Sequence, residues 1–554
     1  MRTYVYTFYC CAMQASRNYL KLVRMEMKRF LLFMLLVSLL TGGCKAQQYK
    51  GSAGNRVVNL PVSMPVRSLN PRIANDSPSL HLMRMMYEGL MCLDSEGKTT
   101  FGIAESVDVS EDRLFYTFHL RDCQWTNGDA VTAHDFEHAW KQSVDPLKAN
   151  IGAFIFHEIK NATACMERKV GVEEVGVRAL DEKTLQVELE HPVAHFLTLV
   201  TATSFYPINK RIDLEHPDWS YAFERDVVCN GPFRPTTWKN DFEICFEKNK
   251  TYWNADVVKL DGIRVQIVPD ATTQYYLYKK GEVDWMGQPF SSLPSQIIRD
   301  EGFSKECGCI ETQSIFWLAL NTERLPFNNV NIRKSFAYAI NRKEIMDNLS
   351  QFKERPAFGL FNGDLVLQEE PYFDDGNVEK ARECFEKGLE ELGMTKETLP
   401  PIVLSLSNRS NSMAQAIQYQ VYKALGVWMQ LEHSDFAVLL NKVTKGDYLM
   451  GSFGWMGWLD PIYTLEIFRT RSMSTNMSRW ENAQYKEYLD RADYEIDHLK
   501  RREYLHCAEK LLMEEMPVIP LHFAAFAFVK NPKLKGVYVS RAKQIDFKYA
   551  YFED

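Results

Sequence analysis

GIAESVDVSEDRLFYTFHLRDCQWTNGDAVTAHDFEHAW, residues 102–140, carries three structural signals in unbroken order. Leu114, Tyr116, Phe118 and Leu120 fall on one face of a period-two segment, with Phe115, Thr117, His119 and Arg121 on the other. Alternation with aromatics describes a half-buried strand. Asn127-Gly128 then supplies the positive φ of a tight reversal. Thr132 caps a helix with Asp135 in its first turn, where the helix dipole favours an acid, and Phe136, Trp140 and Val144 form its buried stripe.

Working outward towards the start, Lys28 and Arg29 precede an apolar run from Phe30 to Leu40 broken only by Ser38, then Thr41-Gly42-Gly43-Cys44. The run is shorter than the roughly 20 residues a bilayer crossing needs. A basic start, a short apolar core and small residues describe a secretory signal over 1–43, with the true start near Met25 or Met27. Cys44 resembles the acceptor of a bacterial lipobox, although Thr41 stands where Leu is usual; a plain signal cut nearby is the alternative. Residues 47–55 form a polar tether, and the 511 residues after position 43 exceed what one core of about 250–300 residues serves, so at least two lobes are expected.

Sixty-five Lys and Arg against 72 Asp and Glu argue against a nucleic-acid partner. Aromatics at 13% suit an apolar-walled pocket and equally a large core. Cys92, Cys123, Cys165, Cys229, Cys245, Cys307, Cys309, Cys384 and Cys507 are odd in number, so at least one thiol stays unpaired within the chain. Cys307-Gly308-Cys309 lacks the CxxC spacing of a redox or metal pair.

Strands are expected at Val57–Val62, 185–189, 242–246, 263–267 and a helix over Ser79–Leu93. Beyond Phe316 helix and strand alternate. Val378–Leu392 is an amphipathic helix stopped by Gly393, and Ile402–Leu406, Ser412–Leu425 and Val427–Leu431 read strand, helix, strand, which implies a parallel pair and an α/β lobe. No HExxH, GxSxG, Walker loop or strand-borne GxGxxG occurs, and nothing places two acids as a catalytic pair. His134 and His138 have a spacing that suits one metal, but fall on the helix face away from the core with no third ligand near. His191 and His195, either side of a Pro-containing loop, read the same way. No enzyme, cofactor or metal is expected.

The residue order of 102–140 resembles the signature of solute-binding proteins of bacterial ABC importers in the oligopeptide class: Ala104-Glu105-Ser106, Phe118-His119-Leu120-Arg121, Trp125, Asn127-Gly128 and Val131 through Trp140. Asn230-Gly231-Pro232-Phe233, Asn249 to Trp253, Asp270 to Asp284, Leu320-Asn321-Thr322 with Pro326-Phe327, Ala339 to Arg342, and Met516 to Leu521 extend the likeness over nearly all of the mature chain. The resemblance implies a two-lobed α/β periplasmic-binding-protein (Venus flytrap) fold with an inserted subdomain. Lobe I is then about 45–86, 211–318 and 521–554, the insert 87–210 and lobe II 319–520, with hinges near 318 and 520. It also implies a monomer, exported to the periplasm or cell surface and lipid-anchored through Cys44. This monomer captures short peptides in the interlobe cleft for membrane ABC permease subunits and their ATPase.

The ligand-binding segment is then expected in GSFGWMGWLDP, residues 451–461, through Gly454, Trp455, Met456, Gly457, Trp458 and Asp460. Small residues let a ligand approach the backbone and the Trp rings wall its pockets; a core strand with a turn is the alternative. Where the family has an Asp that grips the peptide ammonium, this chain has Trp458, and Asp460 precedes Pro461 at a shorter spacing. A buried ammonium needs a countercharge, so Asp460 or another acid substitutes, or Trp458 offers a cation–π face, or the ligand is no ordinary free-amine peptide. Cell-wall peptide, metal chelate, opine and glycan are alternatives on the same fold, as is a surface receptor or adhesin that has lost transport. Asn75, Asp76 and Ser77 would give a second contact, and Phe154 and Phe156 a third.

Overall fold

The computed structural model describes residues 56–74, 76–148, 151–220, 227–239, 241–294, 307–350, 352, 354–407, 412–457 and 460–554. The signal, Cys44 and the tether lie outside the described residues, as do Asn75 and Trp458 and the side chains of Ser77 and Phe154. Chain order gives β1 (Val57–Val62), α1 (Ser77–Met86), β2 (Ala104–Val109), β3 (Phe115–Leu120), α2 (Ala133–Val144), β4 (Val177–Ala179) and β5 (Thr184–Glu188). There follow β6 (Phe233–Lys239), β7 (Glu243–Lys248), β8 (Gly262–Ile267), β9 (Trp285–Gly287) and β10 (Gly308–Leu320). The second lobe adds α3 (Val330–Ala339), α4 (Val378–Leu392), β11 (Val403–Ser407), α5 (Ser412–Leu425), β12 (Gln430–Ser434), α6 (Phe436–Thr444), β13 (Met450–Met456), α7 (Ala483–Tyr494), α8 (His498–Glu515) and β14 (Val518–Lys530).

The opening stretch folds as read. Tyr116, Phe118 and Leu120 are the buried residues of β3, and Thr132 and Asp135 form a reciprocal capping box at α2. Sheet order β2-β3-β5-β4 makes the inserted subdomain, and β1-β8-β7-β6 the first lobe; their buried side chains join in one core. The second lobe has its own core and the order β9-β14-β10-β13-β11-β12. β11 and β12 pair in parallel across α5, the expected crossover. The helix expected over Ser79–Leu93 ends at Met86, because the Glu88 N–H donates to Asn230 Oδ1 and leaves the helical ladder.

β10 and β14 lie side by side, antiparallel, and both run from one core into the other. Ile310 and Phe528 pack with the first core, whereas Ile315–Leu320 and Val518–Phe523 lie in the second lobe. The register slips between Glu311 and Ile315, a bulge at the change of core.

Candidate functional site

β13 is the strand of GSFGWM. Seven of its residues pair with β10, from Met450 opposite Leu320 to Met456 opposite Ser314. On its other side only two pairs form with β11, Leu404 with Met450 and Ser405 with Gly451. Beyond them the two parallel strands part. Alternate backbone groups of Ser452–Met456 therefore point away from β10 with no ladder partner among the described residues.

A hollow of ≈ 570 Å³ occupies the gap. Leu404, Leu406 and Ser407 of β11 and Ser452, Phe453 and Gly454 of β13 bound it on either side; Met413 and Ile417 of α5 and Phe436 of α6 are further walls. Phe316 and His522, also in its lining, stack with ring centroids 4.8 Å apart and planes 1° from parallel. Burial brings the His522 imidazole down to about 4, so the ring is neutral at neutral pH, and its Nδ1 has no hydrogen-bond partner. Phe436 is 61% exposed. An apolar hollow at the carboxyl ends of parallel strands is where open α/β sheets receive ligands.

The residues expected from sequence separate on inspection. Gly454 borders the hollow, but the space a side chain would use there is filled by the Phe316 ring, 2.8 Å from an ideal Cβ. At Gly457 the Gln313 carbonyl oxygen lies 2.3 Å from that point, and the Gly457 N–H donates to it. Both glycines thus admit β10 rather than a ligand. Trp455 turns into the second core beside Trp317 and Phe468. Met456, at the open end, is 45% exposed.

Asp460 is not a free acid. Arg501 Nη1 and Nη2 donate to its two oxygens at 2.8 and 3.0 Å, and the Ile462 N–H donates at 3.0 Å. Burial pushes the carboxyl upward, but the charges of His195 and Arg501 and these hydrogen bonds hold it below its ordinary value. Asp76 caps α1, accepting from the Ser79 N–H and hydroxyl at 2.9 and 2.7 Å. Phe156 belongs to the subdomain core, 1% exposed between Trp140 and Phe205, because its 3-10 turn packs inward on α2.

Two expectations about histidines are corrected. The His138 side chain is only 8% exposed and lies 2.8 Å from Asp213, and that of His195 is 10% exposed beside Asp460 and Tyr463. Sequence reasoning missed Phe436, His522 and α5 as walls of the hollow. An exposed Phe at the head of an apolar helix was the one available signal.

The family model for bacterial extracellular solute-binding proteins, family 5 Middle, matches residues 98–476. Oligopeptide-binding protein OppA of Bacillus subtilis (strain 168) is 36% identical over 522 residues, 92% of this chain and 95% of its own length. The substrate-binding domain of an oligopeptide ABC transporter from Bacillus anthracis str. Ames superposes with a TM-score of 0.71 at 30% identity, covering 91% of this chain and 99% of that one. Listeria monocytogenes OppA bound to peptide gives 0.70 at 27% identity, covering 91% and 100%.

Proposed function

The chain belongs to the bacterial extracellular solute-binding proteins of family 5, and from that premise we propose that it captures short peptides between its lobes and delivers them to a membrane ABC permease and its ATPase. The observation that carries the reading is the parting of β11 from β13. An extended peptide laid along Ser452–Met456 would take the unpaired backbone groups as an added strand, giving affinity that does not depend on sequence. One of its side chains would enter the hollow. Burying an apolar side chain there contributes about 1.5–3 kcal/mol, so apolar residues are favoured without being required. The relatives named oligopeptide-binding, and the Listeria monocytogenes protein bound to peptide, support this class of ligand.

Closure would turn on β10 and β14, whose bulge between Glu311 and Ile315 is the irregular point at which two paired strands can absorb a rotation. Main-chain binding and hinge motion change no covalent bond, which agrees with a family of binding proteins. Among the described residues no helix is long and apolar enough to cross a membrane. We assign attachment to diacylglycerol on Cys44, whose two acyl chains suffice for stable anchoring where a single chain would hold a protein only marginally.

The test is a broad panel of short peptides added to the purified mature protein. Thermal stabilisation together with compaction in solution scattering is expected; neither response across the panel would refute peptide capture.

A further inference from the structure

A second cavity, ≈ 270 Å³, lies between the inserted subdomain and the second lobe. His157, Glu158, His191 and His195 line one side, and Tyr463 and Arg501 are on the other. Tyr463 packs against both hydrophobic cores, so the cavity sits on the seam between the halves. It is next to the strand edge in the chain. Asp460 is four positions beyond Met456, the end of β13, and four extended steps of chain reach at most about 14 Å.

The ionic partners in this cavity leave one remainder. Arg501 is held by both oxygens of Asp460. Arg469, also in the lining, binds Glu466 and Asp493 at 2.6 Å each and Asp490 besides. Glu158 has no guanidinium or ammonium partner among the described residues. Its side chain is 4% exposed, and its neighbours are the Nε2 atoms of His157 and His191 at 3.2 Å and the Tyr463 hydroxyl, which donates at 3.4 Å. His195 Nε2 holds that hydroxyl at 2.7 Å. Oε2 of Glu158 and Nδ1 of His195 are buried without a hydrogen bond. Burial works to raise the Glu158 carboxyl, but the hydrogen bond from His157 and the charges of His157, His195 and His191 bring it down to about 2. It is therefore an anion at neutral pH. The group does not converge as a metal site among the described residues.

A buried carboxylate needs a cation beside it, and an ammonium group in the cavity would supply one that does not depend on protonation of the neighbouring imidazoles. The geometry points to Glu158 as the seat of the ligand's primary ammonium group, with the Tyr463 hydroxyl beside it. The assignment rests on the peptide-capture reading and supplies the countercharge that Asp460 cannot. An ammonium's three N–H donors suit an anionic oxygen beside a hydroxyl and an imidazole. An acetylated amine, neutral and bulkier, does not.

The experiment uses one mixture of apolar tripeptides in free-amine and N-acetylated form, with the full mature protein and calorimetric titration. The wild type is expected to bind the free form at least ten-fold more tightly. Glu158→Gln removes that preference by weakening the free form while leaving the acetylated form unchanged. Tyr463→Phe, which keeps the ring against His195, reduces the preference about threefold and gives a second reading should Glu158→Gln misfold. A preference that survives in Glu158→Gln, or its absence in the wild type, overturns the assignment and leaves peptide capture standing. Failure of both forms to bind the wild type overturns peptide capture and this assignment together.

Discussion

Arg501→Met separates two roles that Asp460 could have. The Arg501 and Asp460 side chains are 10% and 12% exposed, and the guanidinium holds both carboxylate oxygens at 3.0 Å or less. Removing one partner of such a buried pair costs about 3–5 kcal/mol, mostly by stranding the other charge. Asp460 keeps the Ile462 N–H, and His195 Nδ1 stays 3.6 Å away, which places the expected loss at the lower end, about 3 kcal/mol or roughly 100-fold in the unfolding equilibrium. Urea titration followed by tryptophan fluorescence reads that loss, with cooperative unfolding of the second lobe as its condition. The double variant Arg501→Met with Asp460→Leu removes both charges and is expected to recover more than half of it. Asp460→Asn alone destabilises but leaves the preference for a free peptide amine intact. A cost below about 1 kcal/mol for Arg501→Met, the value of an exposed pair, would refute the structural role. So would an Asp460→Asn protein that is stable but has lost the amine preference.

Phe156→Ala, which empties a fully buried aromatic site in the subdomain, should cost about 3–5 kcal/mol in urea unfolding while peptide affinity stays within twofold. Acid should weaken the fold through His522. Its imidazole titrates at about 4 in the folded chain against 6.5 when exposed, so the unfolded chain binds the extra proton and stability falls as pH drops from 6.5 to 4. The loss is on the order of 3 kcal/mol at most, and His522→Phe should flatten that slope in pH-dependent urea titrations. Cys44→Ser should abolish incorporation of labelled fatty acid and release the protein from the membrane fraction; continued labelling would refute lipidation there.

Much of the fold was legible because strand, turn and capped helix in 102–140 are local features, and so is the αL stop at Gly393, φ 64°. The α1 boundary was not, because Asn230, far along the chain, takes the Glu88 N–H. The site was half legible. GSFGWM is the strand beside the hollow, but the reason for its glycines is the approach of Phe316 and Gln313, which no spacing reveals. Asp460 looked like a ligand acid until Arg501, 41 residues on, closed over it. Glu158 carried no local signature, and the spacing of His191 and His195 suggested only a solvated pair. Their proximity arises where the inserted subdomain meets the second lobe, a contact between segments about 300 residues apart.

Hydrogen exchange of the mature protein, with and without the tripeptide mixture, tests the central claim most directly. If an extended peptide adds to β13, amides within Ser452–Met456 gain protection on binding, and those of β12 on the far edge of the sheet do not. Binding that leaves Ser452–Met456 exchanging as before would contradict it.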